Sequence, residues 1–169
     1  MDTLRKEIVR TWFLNARNSI SGLRDGLGGS ATEPRLHDAN GLICVAIAYE
    51  AYAFGTFQKH SAEKNRKEFC TRFGNVIQLS NPTDLTQAIH ALYVAGEVKD
   101  MTPNSTRPPV KVLNETDLGS IMAVIYRVRS NLVHGGKDVA NDRSYELIRS
   151  SFIALYYILE KALVEDGIL

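Results

Sequence analysis

The chain has 169 residues, of which 44% are hydrophobic and 23% are charged, the balance of a globular protein with a buried core. Its formal net charge is +1 at pH 7, so the total charge does not indicate a nucleic-acid partner, and any anion-binding site must be local. The charged amino terminus lacks a signal-peptide core, and no apolar run approaches the ~20 residues of a membrane helix. These features predict a cytoplasmic protein without a membrane partner.

The two cysteines, Cys44 and Cys70, exclude a disulfide framework and have no metal-ligand spacing. Cys44 lies in an apolar run, which favours a buried free thiol and fits a reducing compartment.

The first half of the chain has apolar residues every three or four positions, the spacing of amphipathic helices, and no sustained strand alternation. The first helix is predicted over about 4–27 and ends at the glycine pair 28–29, with Pro34 in the linker that follows. A second helix is predicted over about 37–57, with Asp38 or Asn40 as its N-cap.

A third helix is predicted over about 62–79, charged at its start and apolar at its end. The turn at 81–84, which contains proline and capping residues, predicts the start of a fourth helix. Prolines 103, 108 and 109 then exclude regular structure and predict a long loop at about 100–114 within a single domain that spans 1–169.

The second half predicts two further helices. Thr116 and Asp117 open the fifth, whose apolar residues follow strict three/four spacing until the glycine pair 135–136. The last begins near Asp142. The pattern as a whole predicts an all-α, antiparallel (up-and-down) bundle of five or six helices.

Polar side chains cluster where the fifth helix ends: Arg129, Asn131 and His134, with Lys137 just beyond the glycine pair. On a projection of one ideal helix, Arg129 lies at the border of the buried stripe. Asn131 lies well away from the stripe, and His134 lies nearly on the opposite face of the helix. These groups can meet only if the helix breaks at Gly135 or if the outer face packs against a second copy of the chain.

The residue types suit phosphodiester chemistry. Histidine ordinarily titrates near neutrality and can exchange a proton with a hydroxyl, while arginine offers a planar fork of donors to phosphate oxygens. Cleavage beside a ribose hydroxyl needs a base for that hydroxyl, a cation for the phosphorane and a proton for the leaving oxygen, and it needs no metal. By itself, however, Arg-x4-His followed by Gly-Gly is also an ordinary helix end with a glycine cap.

Residues 126–137, Tyr-Arg-Val-Arg-Ser-Asn-Leu-Val-His-Gly-Gly-Lys, resemble the hallmark of the HEPN superfamily, in which Arg-x4–6-His ends a late helix of a helical bundle. The match is close to the bacterial branch whose core reads Arg-x-Asn-Leu-x-His-Gly. Residues 48–52, Ala-Tyr-Glu-Ala-Tyr, are similar to the aromatic-Glu helix of that family.

The resemblance implies a homodimer that cleaves RNA without metal or cofactor, often in phage defence, in toxin–antitoxin systems with a cognate antitoxin or nucleotidyltransferase partner, or in RNA processing. It makes Arg129 and His134 the catalytic pair. Asn131, Lys137, Ser130 and Arg127 would contact phosphate or RNA. Many active members have Asn, Asp or His directly after the arginine, where this chain has the small, polar Ser130.

Two alternatives stay open at this point: a non-catalytic module of the same fold that binds RNA, a nucleotide or a partner protein, and a purely structural bundle in a larger complex. Glu50 is expected to form a buried ion pair with Arg129 or Arg127 rather than to act in catalysis. The remaining histidines, 37, 60 and 90, are expected to be surface or capping residues. The basic run 59–67 is interpreted as a solvated face that could receive RNA backbone.

Overall fold

The computed structural model describes residues 1–24, 32–75, 82–134 and 139–169. Within these ranges there are six helices: α1 (Thr3–Arg24), α2 (Thr32–Phe57), α3 (Ala62–Phe73), α4 (Thr83–Val94), α5 (Leu118–Val133) and α6 (Asp142–Glu165). The described residues form no β-strand, only an isolated bridge between Val98 and Val110. The prediction of an all-α helical bundle is therefore confirmed.

The core lies around α2 and α6, since α2 packs against α1, α3, α5 and α6, while α6 also packs against α4 and α5. Phe13 of α1 is buried and stacks on Tyr156 of α6 with ring centroids 4.7 Å apart. A second aromatic group joins α2 to α3 through Tyr52, Phe69 and Phe73. Each such buried ring stabilises the fold by roughly 1.5–3 kcal/mol.

The carboxyl end of α6 fixes the position of α2 relative to α3. The Tyr52 hydroxyl of α2 donates a 2.7 Å hydrogen bond to Asp166, and Arg72 of α3 forms an ion pair with the other oxygen of the same carboxylate. Separately, none of the helices in the described ranges combines the length and apolar character needed to span a lipid bilayer.

The start of α2 differs from the prediction. The helix begins at Thr32, so Pro34 lies in its first turn and not in a linker. Proline is tolerated there because the backbone N–H groups of the first turn have no carbonyl partner within the helix. Asp38 is consequently not an N-cap. It is fully buried, its Oδ2 accepts a 2.9 Å hydrogen bond from the Tyr145 hydroxyl, and burial raises its pKa above the ordinary range. Asn40 likewise lies inside the helix.

The other helix ends agree to differing degrees with the positions predicted from the sequence. Asp117 caps α5 by accepting from Gly119 N, as expected, and Asn141 caps α6. The third helix was predicted to reach residue 79 but ends at Phe73, with Gly74 as its C-cap. The predicted stops at glycines 28–29 and 135–136 lie outside the described residues.

Gly41 lies where α2 packs closely against Phe152 of α6. A Cβ added there would lie 2.6 Å from Cε1 of Phe152, a fully buried ring, and closer still to its Cζ. We expect Gly41→Ala to lower the free energy of unfolding by about 1–3 kcal/mol, because the buried ring cannot move aside without strain. Urea denaturation measures the change.

Gly55→Ala, on the same helix, is the matched control. Its added Cβ would meet the flexible end of the Met1 side chain, with Sδ at 2.8 Å, and that side chain can move away. This variant should be stabilised by up to about 1 kcal/mol, the helix propensity of alanine over glycine. Equal effects of the two substitutions would contradict the argument.

Candidate functional site

Arg129 of α5 faces α2. Its Nη2 lies 3.4 Å from Oε1 of Glu50, so the predicted ion pair forms with Arg129 rather than with Arg127. The Glu50 side chain is 40% exposed, so the ion pair is partly open to solvent, although a buried pair was expected. The contribution of such a pair to stability is small. The Arg129 Nε is buried and has no hydrogen-bond partner within the described ranges.

The Arg129–Glu50 pair borders a cavity of about 440 Å³ between α2, α3 and α5. Arg66 of α3 also lines it, with its guanidinium 5.1 Å from the ring centroid of Tyr126. The cavity has the size of a small-molecule site. Its wall is formed by Tyr49, Glu50, Ala53, Phe54, His60, Ser61, Ala62, Asn65, Arg66, Tyr126 and Arg129.

His134 lies at the other side of the same helix end. It is the C-cap of α5, its backbone N–H donates to the Ser130 carbonyl at 3.1 Å, and its side chain is exposed. Residues five apart on a helix are rotated by roughly 140° and separated by about 7.5 Å along the axis. His134 does not line the cavity that Arg129 lines, so one copy of the chain does not bring the predicted pair into one pocket.

Asn131 was expected to lie away from the core, and this expectation is wrong. Its side chain is completely buried. The amide Nδ2 donates to the Lys99 carbonyl at 2.8 Å, and the amide Oδ1 accepts from the Met101 N–H at 2.9 Å. The physical reason is that the segment after α4 covers this face of α5, which a projection of one helix cannot reveal. In this arrangement, both polar groups of the Asn131 side chain are engaged by backbone.

Arg127 holds the same segment. Its Nη1 donates to the Pro108 carbonyl at 3.2 Å, its Nε lies 4.0 Å from Asp100 Oδ2, and its side chain is only 11% exposed. Ser130 is half-buried, and its backbone carbonyl accepts from His134. Lys137, the remaining predicted phosphate contact, lies outside the described residues.

Asp100 is the acidic group of this segment, which we call the covering loop (residues 98–110). Its side chain is 2% exposed, and its pKa is lowered to about 2, chiefly because the Thr102 N–H donates to Oδ1 at 3.0 Å. The Thr102 and Ser105 hydroxyls and the charge of Arg127 add to the effect.

Because the folded-state pKa lies below the ordinary value, the stability due to ionised Asp100 is present above about pH 4 and is lost as the pH falls towards 2. We expect the excess stability of the parent over Asp100→Asn to be largest at pH 5 and to shrink at lower pH. Denaturant unfolding of both proteins between pH 5 and pH 2.5 measures it. Parallel curves for the two proteins over this range would contradict the assignment.

Arg66, His60 and Tyr49 line one cavity, which the sequence pattern did not predict. For Arg66 a signal was available, since Phe69 and Phe73, three and seven positions later, are fully buried and therefore mark its side of α3 as the inner one. Interpreting residues 59–67 as one solvated run obscured this. His60, although exposed as expected, also contributes to the cavity wall.

The two thiols are free, and both are half-buried. Burial raises the pKa of Cys70 to about 11 and also raises that of Cys44, so neither is a thiolate nucleophile at neutral pH. Across the described ranges, no three His, Cys, Asp or Glu side chains are grouped so that they could hold a metal ion.

Fold and site together define this protein as an all-α helical bundle with an arginine-lined cavity beside the carboxyl-terminal half of its fifth helix. Comparison with known proteins adds no relative: no family model, no curated protein and no solved structure matches the chain.

Proposed function

We propose that the chain is a metal-independent endoribonuclease of HEPN type that acts in the cytoplasm as a homodimer, with Arg129 and His134 as its catalytic pair. The observation that carries the proposal is the state of Arg129. It projects from α5 beside a ligand-sized cavity and keeps one N–H donor, on Nε, without a partner in the described part of the chain. A guanidinium whose N–H donors are not all engaged can donate hydrogen bonds to phosphate oxygens.

The proposed reaction is transesterification within RNA. His134 accepts the proton of a ribose 2′-hydroxyl, the 2′-oxygen forms a bond to phosphorus, and the bond from phosphorus to the 5′-oxygen breaks. Arg129 stabilises the charge of the phosphorane, and the protonated His134 imidazole then donates the proton to the leaving 5′-oxygen. The products are a 2′,3′-cyclic phosphate and a 5′-hydroxyl, so atoms and charge balance.

The separation of the two groups on α5 favours the dimer. Since Arg129 and His134 point to different sides, a shared groove between two copies is needed to combine them. Support comes from the end of α5, where the side chain of Val133, next to His134, is 52% exposed, and that of Met101, whose backbone N–H donates to Asn131, is 53% exposed. Apolar side chains beside a polar site are typical of a covered face.

Incubation of the purified chain with a mixed RNA in the presence of EDTA tests the proposal. Cleavage products that end in 2′,3′-cyclic phosphate, together with a dimer mass by light scattering, are expected. Intact RNA after prolonged incubation at high protein concentration, or cleavage that EDTA abolishes, would contradict it.

A second candidate is a non-catalytic module that binds RNA or a partner such as an antitoxin or a nucleotidyltransferase. The engagement of Asn131 and Arg127 by the covering loop favours it, because two of the predicted phosphate contacts already have backbone partners. An RNA gel shift without cleavage products would select this candidate.

A further inference from the structure

The amino ends of α2 and α6 meet at a buried carboxyl group. The side chain of Asp38, about two turns into α2, is completely buried, and its Oδ2 accepts a hydrogen bond of 2.9 Å from the Tyr145 hydroxyl of α6. Its Oδ1 is also buried and has no hydrogen-bond partner among the residues that the structure describes. An ionised carboxylate at this position has one uncompensated oxygen, whereas a protonated carboxyl buries no charge.

The charged groups around Asp38 do not offset its burial. In the described part of the chain, α6 presents Arg149 and Glu146, α2 itself presents His37, and each of the three acts on Asp38 through its charge. Burial raises the pKa of Asp38 and outweighs both the hydrogen bond from Tyr145 and the positive charge of Arg149, which lower it. The surroundings therefore favour the protonated carboxyl.

Tyr145 connects this carboxyl to the segment that precedes α6. The Arg35 guanidinium lies 4.8 Å from the centroid of the Tyr145 ring. The same guanidinium donates to two backbone carbonyls of residues 139–142, at 3.2 and 2.8 Å, and forms an ion pair of 2.6 Å with a carboxylate there. Arg35, Asp38 and Tyr145 thus join the first turns of α2 to the start of α6, and we call them the α2–α6 contact.

We propose that the α2–α6 contact is a proton-dependent switch, which holds the amino ends of the two helices together while the Asp38 carboxyl is protonated and opens locally when that carboxyl ionises. Opening lets water reach the carboxylate and supplies hydrogen bonds to Oδ1, which the closed contact leaves without a partner. Residues 139–142 are then released as well, because the Arg35 side chain that holds them packs on the Tyr145 ring. The inference is independent of the proposed ribonuclease activity.

The α2–α6 contact should weaken as the pH rises, because the folded state holds the proton of Asp38 more tightly than the unfolded state does. In the unfolded chain the pKa of Asp38 is close to its ordinary value of 3.8. The stability due to this proton is therefore complete below about pH 4 and is lost as the pH rises through the folded-state pKa. Asp38→Asn imitates the protonated carboxyl, since it stays neutral and keeps an acceptor for the Tyr145 hydroxyl.

Denaturant unfolding of the parent and of Asp38→Asn between about pH 4 and about pH 8 tests the proposal. The unfolding equilibrium constant of the parent, relative to that of Asp38→Asn, should rise by up to about tenfold per pH unit and level off above the folded-state pKa. Asp142→Asn is the matched control, because it makes the same change at the same helix end in a side chain that is 88% exposed. Its ratio to the parent should change far less with pH.

Hydrogen exchange measured by mass spectrometry locates the opening. At about pH 8, amides in the second and third turns of α2 and in residues 139–147 should exchange faster in the parent than in Asp38→Asn. Amides of α4 should exchange alike in the two proteins, and at about pH 4 all amides should. Equal exchange at pH 8, or a difference that includes α4, would overturn the local switch.

Tyr145→Phe keeps the test conclusive if Asp38→Asn fails to fold. It leaves the carboxyl in place and removes the hydrogen bond that lowers its pKa, so the rise of the unfolding constant should continue to a higher pH than in the parent. His37→Gln removes the neighbouring imidazole and should retain the pH dependence. A pH dependence that disappears with His37→Gln, or that Tyr145→Phe does not move, belongs to another group and overturns the proposal.

Discussion

Replacement of His134 by alanine is expected to reduce RNA cleavage by about 10²–10⁴-fold, the range for loss of a general acid or base. The fold should survive, because the imidazole is exposed and the helix cap is made by the backbone N–H, which alanine retains. Initial rates on a labelled RNA give the activity, and circular dichroism with denaturant unfolding gives the fold. Loss of cleavage with unchanged unfolding would assign the effect to the imidazole.

His90→Ala provides the control for this experiment. His90 is also exposed, and its Nδ1 lies 2.9 Å from Glu115 on a different part of the surface. Its removal should leave cleavage unchanged. If His134→Ala cuts RNA as fast as the parent, His134 is not the proton-transfer group, and the proposed mechanism is wrong.

A mixing experiment addresses the dimer directly. If the catalytic groove combines Arg129 of one copy with His134 of the other, Arg129→Ala and His134→Ala chains should be inactive alone and regain part of the activity when mixed, since the mixed dimer keeps one intact pair. No recovery in a mixture shown to contain mixed dimers would place both groups of a site on one chain.

The sequence was sufficient for the bundle but not for the environment of its polar residues. Apolar spacing of three and four places Leu118, Ile121 and Ile125 of α5 on one buried stripe, and the structure agrees. The same projection failed for Asn131, since it ignores what a distant segment does. Lys99 and Met101 are about thirty positions away in sequence, and no local pattern relates their backbone to α5.

The carboxyl-terminal half of α5 thus carries two different surfaces. Arg129 points to the cavity beside α2 and α3, whereas Arg127 and Asn131 hold the covering loop. The sequence motif joins these residues in one string, yet the helix distributes them around its circumference. Proximity in sequence therefore predicted a shared role for Arg127, Arg129 and Asn131, although the structure gives only Arg129 a position at the cavity.

The largest effect on stability is expected for Asn131→Leu. The substitution keeps the approximate side-chain size but removes both amide groups, and leaves the Lys99 carbonyl and the Met101 N–H without their partners unless the covering loop detaches. Each unpaired buried polar group costs about 1–3 kcal/mol, so the free energy of unfolding should fall by about 2–4 kcal/mol. Urea denaturation at neutral pH measures it.

Ser130→Ala, at the neighbouring half-buried position, should change the free energy of unfolding by less than about 0.5 kcal/mol. Asn131→Asp tests the two hydrogen bonds individually. Aspartate still accepts from the Met101 N–H, but it has no donor for the Lys99 carbonyl and places a second acceptor beside it. It should therefore destabilise the protein as well. If instead Asn131→Leu unfolds like the parent while the KM for RNA rises, Asn131 contacts phosphate, and the covering loop is not held by this side chain in solution.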